Sequence, residues 1–221
     1  MRPVFPVCFM KKRLFKPFCF NPSRTITGKW SLKIFFVAAL VLVSGSFAHP
    51  ETEYSIRAPL AQRSLLLDCC VAGVRIVTVG ERGHILLSDD NGSSWRQANV
   101  PTVATLTGVF FKNRRLGWAV GHDAVILKTL DGGENWSRVH YAPEQECPLM
   151  DVFFLDEKTG FAIGAYGLFL ETMDGGDTWS ARSISQDDWH LNHMAESAGG
   201  RLYIAAESGT IYRSDDKGKT W

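Results

Sequence analysis

No acidic residue occurs in the first 48 positions of this 221-residue chain, although eight basic ones do (Arg2, Lys11, Lys12, Arg13, Lys16, Arg24, Lys29 and Lys33). Residues 49–221 therefore hold sixteen basic and twenty-three acidic side chains, a net charge of −7 hidden behind the +1 of the whole. A mildly acidic globular part argues against a nucleic-acid partner, which is gripped through its phosphates. Helical patterning is also missing: no stretch of ten or more residues repeats its apolar positions at 3.6 spacing. Cysteine is scarce. Of five, Cys8 and Cys19 lie in the basic leader, which leaves Cys69, Cys70 and Cys147. No spacing suits a zinc site. Neighbours in a strand point to opposite faces, so only one of Cys69 and Cys70 could pair with Cys147. Buried free thiols are the expectation. A Gly-rich phosphate loop and a Ser-His-Asp arrangement are likewise absent, and no cofactor is expected.

The one long apolar run, residues 34–43, follows the basic stretch and precedes Ser46-Phe47-Ala48. Basic residues, then a run too short for a membrane span, then small residues, make a secretory signal peptide over 1–48, cut after Ala48. An uncleaved anchor is the other reading. A true start at Met10 would explain the long basic region. An exported protein is expected, in a periplasm or at the outer face of a membrane.

What the remainder has is a repeat. Four segments align without gaps on the pattern [ST]-x-D-x-G-x-[STN]-W. Their fixed residues are Ser88, Asp90, Gly92 and Trp95; Thr129, Asp131, Gly133 and Trp136; Thr172, Asp174, Gly176 and Trp179; and Ser214, Asp216, Gly218 and Trp221. The Trp residues are 41, 43 and 42 positions apart. Gly80, Gly121, Gly164 and Ala206 each precede their box by eight residues, and Gly83, Ala124, Gly167 or Gly209 follows three later. Apolar runs rich in Val, Ile, Phe, Leu and Tyr flank these turns, as strands do. Each unit reads as strand, loop, strand, tight turn, strand, Asp-box turn, strand. Four short antiparallel strands per repeat of about 42 residues define an all-β fold, a β-propeller of four-stranded blades. Residues 65–221 make blades one to four, and 49–64 an N-terminal segment.

The box chemistry reads as structural. The Asp carboxylate and the Ser or Thr hydroxyl can accept N–H groups of their own hairpin, the Gly takes a backbone angle others resist, and the Trp packs on the blade. Calcium needs several oxygen ligands, and each box offers one well-placed carboxylate, so no metal is expected.

These segments resemble the Asp boxes of the bacterial neuraminidase repeat. The wider unit, with Val109-Phe110-Phe111, Gly117-Trp118-Ala119-Val120-Gly121, Asp131-Gly132-Gly133 and Trp136, resembles the photosystem II stability/assembly factor family. Val152-Phe153-Phe154, Gly160-Phe161-Ala162, Asp174-Gly175-Gly176 and Trp179 repeat it. The resemblance implies a seven-bladed propeller without enzymatic activity, whose photosynthetic members bind a newly made reaction-centre subunit. Similar repeats occur in exported proteins of non-photosynthetic bacteria. Asn135, Ala124 and Ala206 depart from the pattern as ordinary drift. Four of seven expected blades are present, and the chain stops at Trp221, the last residue of the fourth box, with no strand after it; a truncated sequence is the expectation. The alternative is a four-bladed ring in which residues 54–58 supply the missing outer strand.

Three functions are open: an assembly factor for a membrane complex, a general envelope scaffold, and a sialidase-like glycosidase. A glycosidase needs paired carboxylates, or a Tyr nucleophile with an acidic partner; the resemblance to sialidases would add an arginine cluster for the substrate carboxylate. The nearest match to the sialidase Arg motif, Val74-Arg75-Ile76-Val77, lacks its aromatic and its Pro. His190 and His193, three apart in a strand, face opposite ways. A protein partner, possibly a subunit of a membrane complex, fits best, with no small-molecule substrate evident. Propellers bind through loop rings. The loops between the second and third strands share one end and carry the candidate binding residues Arg82, His84, His122, Asp123, Tyr166 and Glu207. Arg114, Arg115 and Lys158 fall at the other end, beside the boxes.

Overall fold

The structure, a computed structural model, describes residues 52–221. The expected leader, with Cys8 and Cys19, lies outside the described residues. Fifteen strands in four antiparallel sheets make up this part. The first sheet holds β1 (Leu66–Ala72), β2 (Arg75–Gly80), β3 (Ile85–Ser88) and β4 (Arg96–Gln97). The second holds β5 (Leu106–Phe111), β6 (Gly117–Gly121), β7 (Ile126–Thr129) and β8 (Ser137–His140). The third holds β9 (Leu149–Phe154), β10 (Gly160–Gly164), β11 (Phe169–Thr172) and β12 (Ser180–Ala181). The fourth has three strands, β13 (Leu191–Glu196), β14 (Leu202–Ala206) and β15 (Ile211–Ser214). Strand order follows chain order in every sheet. First strands of successive blades are neighbours: β1 beside β5, β5 beside β9, β9 beside β13. Among the described residues, helical geometry is confined to single 3-10 turns, and no helix is long and apolar enough to cross a membrane.

The middle strands are continuous apolar runs because both blade faces are covered. In β6, Ala119 faces the first blade while Trp118 and Val120 face the third. In β7, Leu127 and Ile126 divide in the same way. Three apolar clusters result, one at each blade interface. The second is built on Trp118, which is fully buried and stacks on Phe154 at 3.4 Å between ring centroids. Its indole N–H donates to the Gly175 carbonyl of the next blade's box turn (3.1 Å). Trp179 meets Phe154 edge-on at 5.9 Å. A Cβ on Gly176 would lie 2.6 Å from the Trp118 Nε1, so the box glycine is also what lets the next blade approach.

Two aspartates tie the first strands together. Asp68 in β1 accepts the N–H of its neighbour Cys69 and that of Val109 in β5, each at 2.8 Å. Two blades on, Asp151 in β9 accepts from Val152 (2.8 Å) and from Met194 in β13 (2.7 Å). His193 Nδ1 lies 2.8 Å from Asp151 Oδ2. Burial holds the Asp151 carboxyl above the usual carboxylate range, against the pull of the Met194 N–H and His193.

Two expectations are corrected. Cys69 is exposed rather than buried, because β1 turns one face outward; Cys70 and Cys147 are half-buried, and all three are free thiols. Cys70 faces the first apolar cluster, and burial pushes its thiol up to about 12. Residues 54–58, weighed as a closing strand for the fourth blade, bond instead to the first. The Ser55 N–H donates to the Val100 carbonyl (2.9 Å), and the Ala58 N–H to Gln97 Oε1 (3.1 Å). The Gln97 amide donates back to the Ile56 carbonyl (3.0 Å), so one side chain reads the segment's backbone twice.

Trp118→Ala removes a stacked, hydrogen-bonded ring from the centre of an interface. It should lower unfolding free energy by about 3–5 kcal/mol, measured by urea titration of fluorescence and circular dichroism. A loss under 1 kcal/mol would mean the interface does not depend on this ring.

Candidate binding face

The two ends of the blades differ in chemistry. At one end lie the Asp boxes. In the first, the Ser88 hydroxyl donates to Asp90 (2.8 Å) and accepts the Gly92 N–H (2.8 Å). Asp90 also accepts the Ser94 N–H (2.8 Å) and hydroxyl (2.6 Å), and the Trp95 indole donates to the Gly92 carbonyl (3.1 Å). The second box repeats this with the Asn135 amide in place of the hydroxyl, 2.9 Å from Asp131. The third and fourth use Thr178 and Thr220, each at 2.6 Å. Gly92, Gly133, Gly176 and Gly218 sit at φ 85 to 88°, where an L side chain is strained. The loops between first and second strands close on these turns: the Gly132 N–H donates to the Arg115 carbonyl (2.9 Å) and the Gly175 N–H to the Lys158 carbonyl (2.8 Å).

The neighbouring charges are paired as well. Arg75 donates to Asp89 (2.6 Å), to Glu134 of the second blade (2.9 Å) and to the Gly132 carbonyl (2.9 Å). Arg96 pairs with the same two acids. The arginine nearest to a sialidase motif is thus a staple between blades. Among the described residues, no group of three metal-ligating side chains could hold an ion.

The other end carries the turns between second and third strands. All four are mirror-image hairpin turns with two consecutive left-handed residues: Arg82-Gly83, Asp123-Ala124, Tyr166-Gly167 and Ser208-Gly209. Each is closed by an N–H to a carbonyl three residues back, as from His84 to Glu81 (3.0 Å). Such a turn pushes its first central residue outward. Arg82 and Tyr166 are therefore exposed, as are His122 and Glu207; Asp123 is half-buried. His84 departs from the expectation of a presented loop residue. It is the first residue after its turn, where the chain re-enters the blade, and it is 2% exposed.

The six candidates do not form one site. Arg82 and His84 line a cavity of about 330 Å³ with Glu53, Ile56, Ala58 and Val103. Asp123 lines an adjoining one of about 220 Å³ with Arg138 and Tyr141, whose guanidinium and ring stack at 4.4 Å. Tyr166 packs edge-on against His190 at 5.0 Å, and the His190 N–H reaches Glu207 (3.4 Å). His122 lines neither of the two cavities. Glu53, Arg138, Tyr141 and His190 lie beside the candidates and were not legible in the sequence, because they come from linkers and outer strands that the repeat does not fix. A cavity of about 400 Å³ lies at the box end between the third and fourth blades, walled partly by Lys217-Gly218-Lys219 of a structural turn.

Four antiparallel blades with box turns at one end and loop turns at the other define an Asp-box β-propeller. The family model described as photosynthesis system II assembly factor YCF48 matches residues 73–145 and 143–221, and the chain belongs to that family. Photosystem II stability/assembly factor HCF136 of Arabidopsis thaliana is 33% identical over 67 residues, 28% of this chain and 16% of that protein. Its counterpart in Cyanidioschyzon merolae is 29% identical over 106 residues, 44% of this chain and 24% of that protein. A solved YCF48 bound to D1 peptide superposes with a TM-score of 0.58 at 22% identity, over 76% of this chain and 55% of that one. The GH74 enzyme of Niastella koreensis gives 0.51 at 15% identity, over 68% and 29%. At these identities the two structures show the fold alone. The chain matches well under two thirds of the length of each.

The box carboxylates make a pH prediction. The Ser94 hydroxyl and N–H hold Asp90 down to about 2, and the Thr220 hydroxyl and N–H do the same for Asp216. Asp174 is lowered by Thr178 in the same way. A carboxyl whose folded pKa is depressed stabilises fully above its unfolded pKa, and that stability is lost as pH falls through the folded value. Thermal stability should hold down to about pH 4 and drop between about pH 4 and 2. Asp90→Asn with Asp216→Asn should flatten that drop; an unchanged slope in melts across this range would show that the boxes do not set it.

Proposed function

We propose that this chain is a non-catalytic, exported scaffold that assists assembly of photosystem II by holding a subunit of the complex on its loop-turn end. The observation that carries this reading is the division of chemistry between the two ends. At the box end, the carboxylates and Arg75 are committed to turns and to the blade interface. At the loop-turn end, exposed Arg82, His122, Tyr166 and Glu207 are held out on rigid hairpins. A turn whose backbone is already closed by its own hydrogen bond does not have to be ordered on binding, which lowers the entropic cost of association. Membership of the YCF48 family supports a photosystem role over a general envelope scaffold, and the related YCF48 solved with a D1 peptide supports a polypeptide ligand.

The absence of catalysis belongs to the same proposal. Asp68 and Asp151 each accept two backbone N–H groups. That leaves neither placed as a free acid or nucleophile of a glycosidase pair. A fluorogenic sialoside should give no turnover above buffer.

Arg82→Glu and Tyr166→Ala should each weaken capture of a D1-derived peptide roughly tenfold, about 1.4 kcal/mol, in a titration on the immobilised protein. Capture unchanged by both would sink the assignment of this end.

A further inference from the structure

The inner strands of neighbouring blades are tied twice by an aspartate, and the two ties differ at one residue. In the first, Asp68 Oδ1 accepts the Cys69 N–H and Oδ2 the Val109 N–H. In the second, Asp151 Oδ1 accepts the Val152 N–H and Oδ2 the Met194 N–H. The residue just before the amide reached is Gly108 in the first tie and His193 in the second. His193 Nδ1 lies 2.8 Å from the same Oδ2 that holds Met194. The molecule thus carries its own control: one geometry, with and without a histidine.

Asp151 is buried, at 7% exposure. A buried carboxylate needs a counter-charge. The elements packed against β9 and β13 are β5, β6, β10, β14 and the turns His122–Ala124 and Ala165–Gly167, and none of them carries a lysine or arginine. Their titratable side chains are His122, Asp123, Tyr166 and Tyr203, with Glu196 at the far end of β13 itself. Asp68 adds a repulsive field. Among the described residues, His193 is the one base within ion-pairing distance of Asp151. Its side chain is 72% exposed, so it exchanges protons with solvent freely.

We propose that the Asp151–His193 pair makes the seam between the third and fourth blades a pH-responsive tie, tight when the imidazole is protonated and looser when it is neutral. Histidine changes charge between about pH 5 and 8. With the ring protonated, Oδ2 takes a charge-assisted bond and the carboxylate is compensated. Once the proton leaves, the closed seam holds a buried charge without a counter-ion, a cost relieved when β13 moves off and water reaches the carboxylate. Burial of Asp151 acts in the same sense. A carboxyl raised in the folded state gives its stability at low pH and loses it as pH rises through the folded value. The boxes act in the opposite sense and fail only in acid. His190, three residues before His193, packs against Tyr166 of the third blade, and its N–H reaches Glu207 of the fourth. The seam therefore also sets how firmly the loop-turn end is held there. The tie operates whether or not that end binds a subunit.

The test is amide hydrogen exchange on the full chain, compared as protection factors at about pH 5.5 and about pH 8. The Met194 N–H should be roughly three- to tenfold better protected at the lower pH. Val109, the matching amide of the Asp68 tie, should not share that change. In His193→Gln, which keeps a side-chain donor but takes no charge, the Met194 difference should vanish. Equal protection of Met194 at the two pH values, better protection at the higher one, a change of equal size at Val109, or a difference that survives His193→Gln would each overturn the tie.

Discussion

The clasp within each box is the constraint from which the rest follows. A hydroxyl from Ser88, Thr129, Thr172 or Ser214 accepts the N–H of the box glycine and donates to the box carboxylate. The carboxylate accepts two more donors from the residue before the Trp. This fixes a turn that contains two consecutive left-handed residues, such as Asn91-Gly92, and would otherwise be strained. A fixed turn fixes its Trp, and Trp179 then meets Phe154, on which Trp118 stacks. One local hydrogen-bond pattern thus sets both the shape of a blade and its spacing from the next. Because each carboxylate is held by charge-assisted bonds, the clasp is strong although it sits in solvent.

The same constraint explains which features were legible in the sequence. The box needs particular residues at fixed offsets, so its period could be read directly, and the strands followed from the apolar runs between. The loop-turn end was legible as a place but not as a surface. A mirror-image turn was implied by Gly83, Gly167 and Gly209, yet nothing in Arg82 or Tyr166 declares a left-handed residue held outward. Residues 54–58 read as a possible closing strand for the fourth blade, because their contact with the first runs largely through the side chain of Gln97 rather than through a strand pattern. Asp68 and Asp151 were missed for a similar reason. They recur every second blade, with Gly108 between, where an added Cβ would meet the Met150 carbonyl at 3.0 Å.

The long-range pairs explain how the blades keep their order. Arg75 and Arg96 share Asp89 and Glu134 across the first interface. Lys128 reaches Asp177 across the second, at 2.7 Å. Arg182 donates to the Gly218 carbonyl, at 2.6 Å, across the third. Exposed pairs of this kind contribute little stability individually. Their effect is on register, since each one rewards a single placement of a blade against the next box, while the apolar clusters provide the bulk of the free energy.

Departures from the repeat are therefore informative only when the fold does not absorb them. Asn135 is absorbed, because its amide reaches Asp131 as a hydroxyl would. Ala124 is absorbed differently. At φ 50° an alanine costs about 1–2 kcal/mol, but its methyl is fully buried in the second cluster, which returns about 0.8 kcal/mol, so about half of the strain is offset. His84 is not absorbed. It occupies a position that Val125 fills with apolar packing, and its Nδ1 has no partner among the described residues. Trp221 is a second such case: its indole nitrogen is buried without a partner among the described residues, whereas Trp95, Trp136 and Trp179 each donate to the carbonyl of their own box glycine.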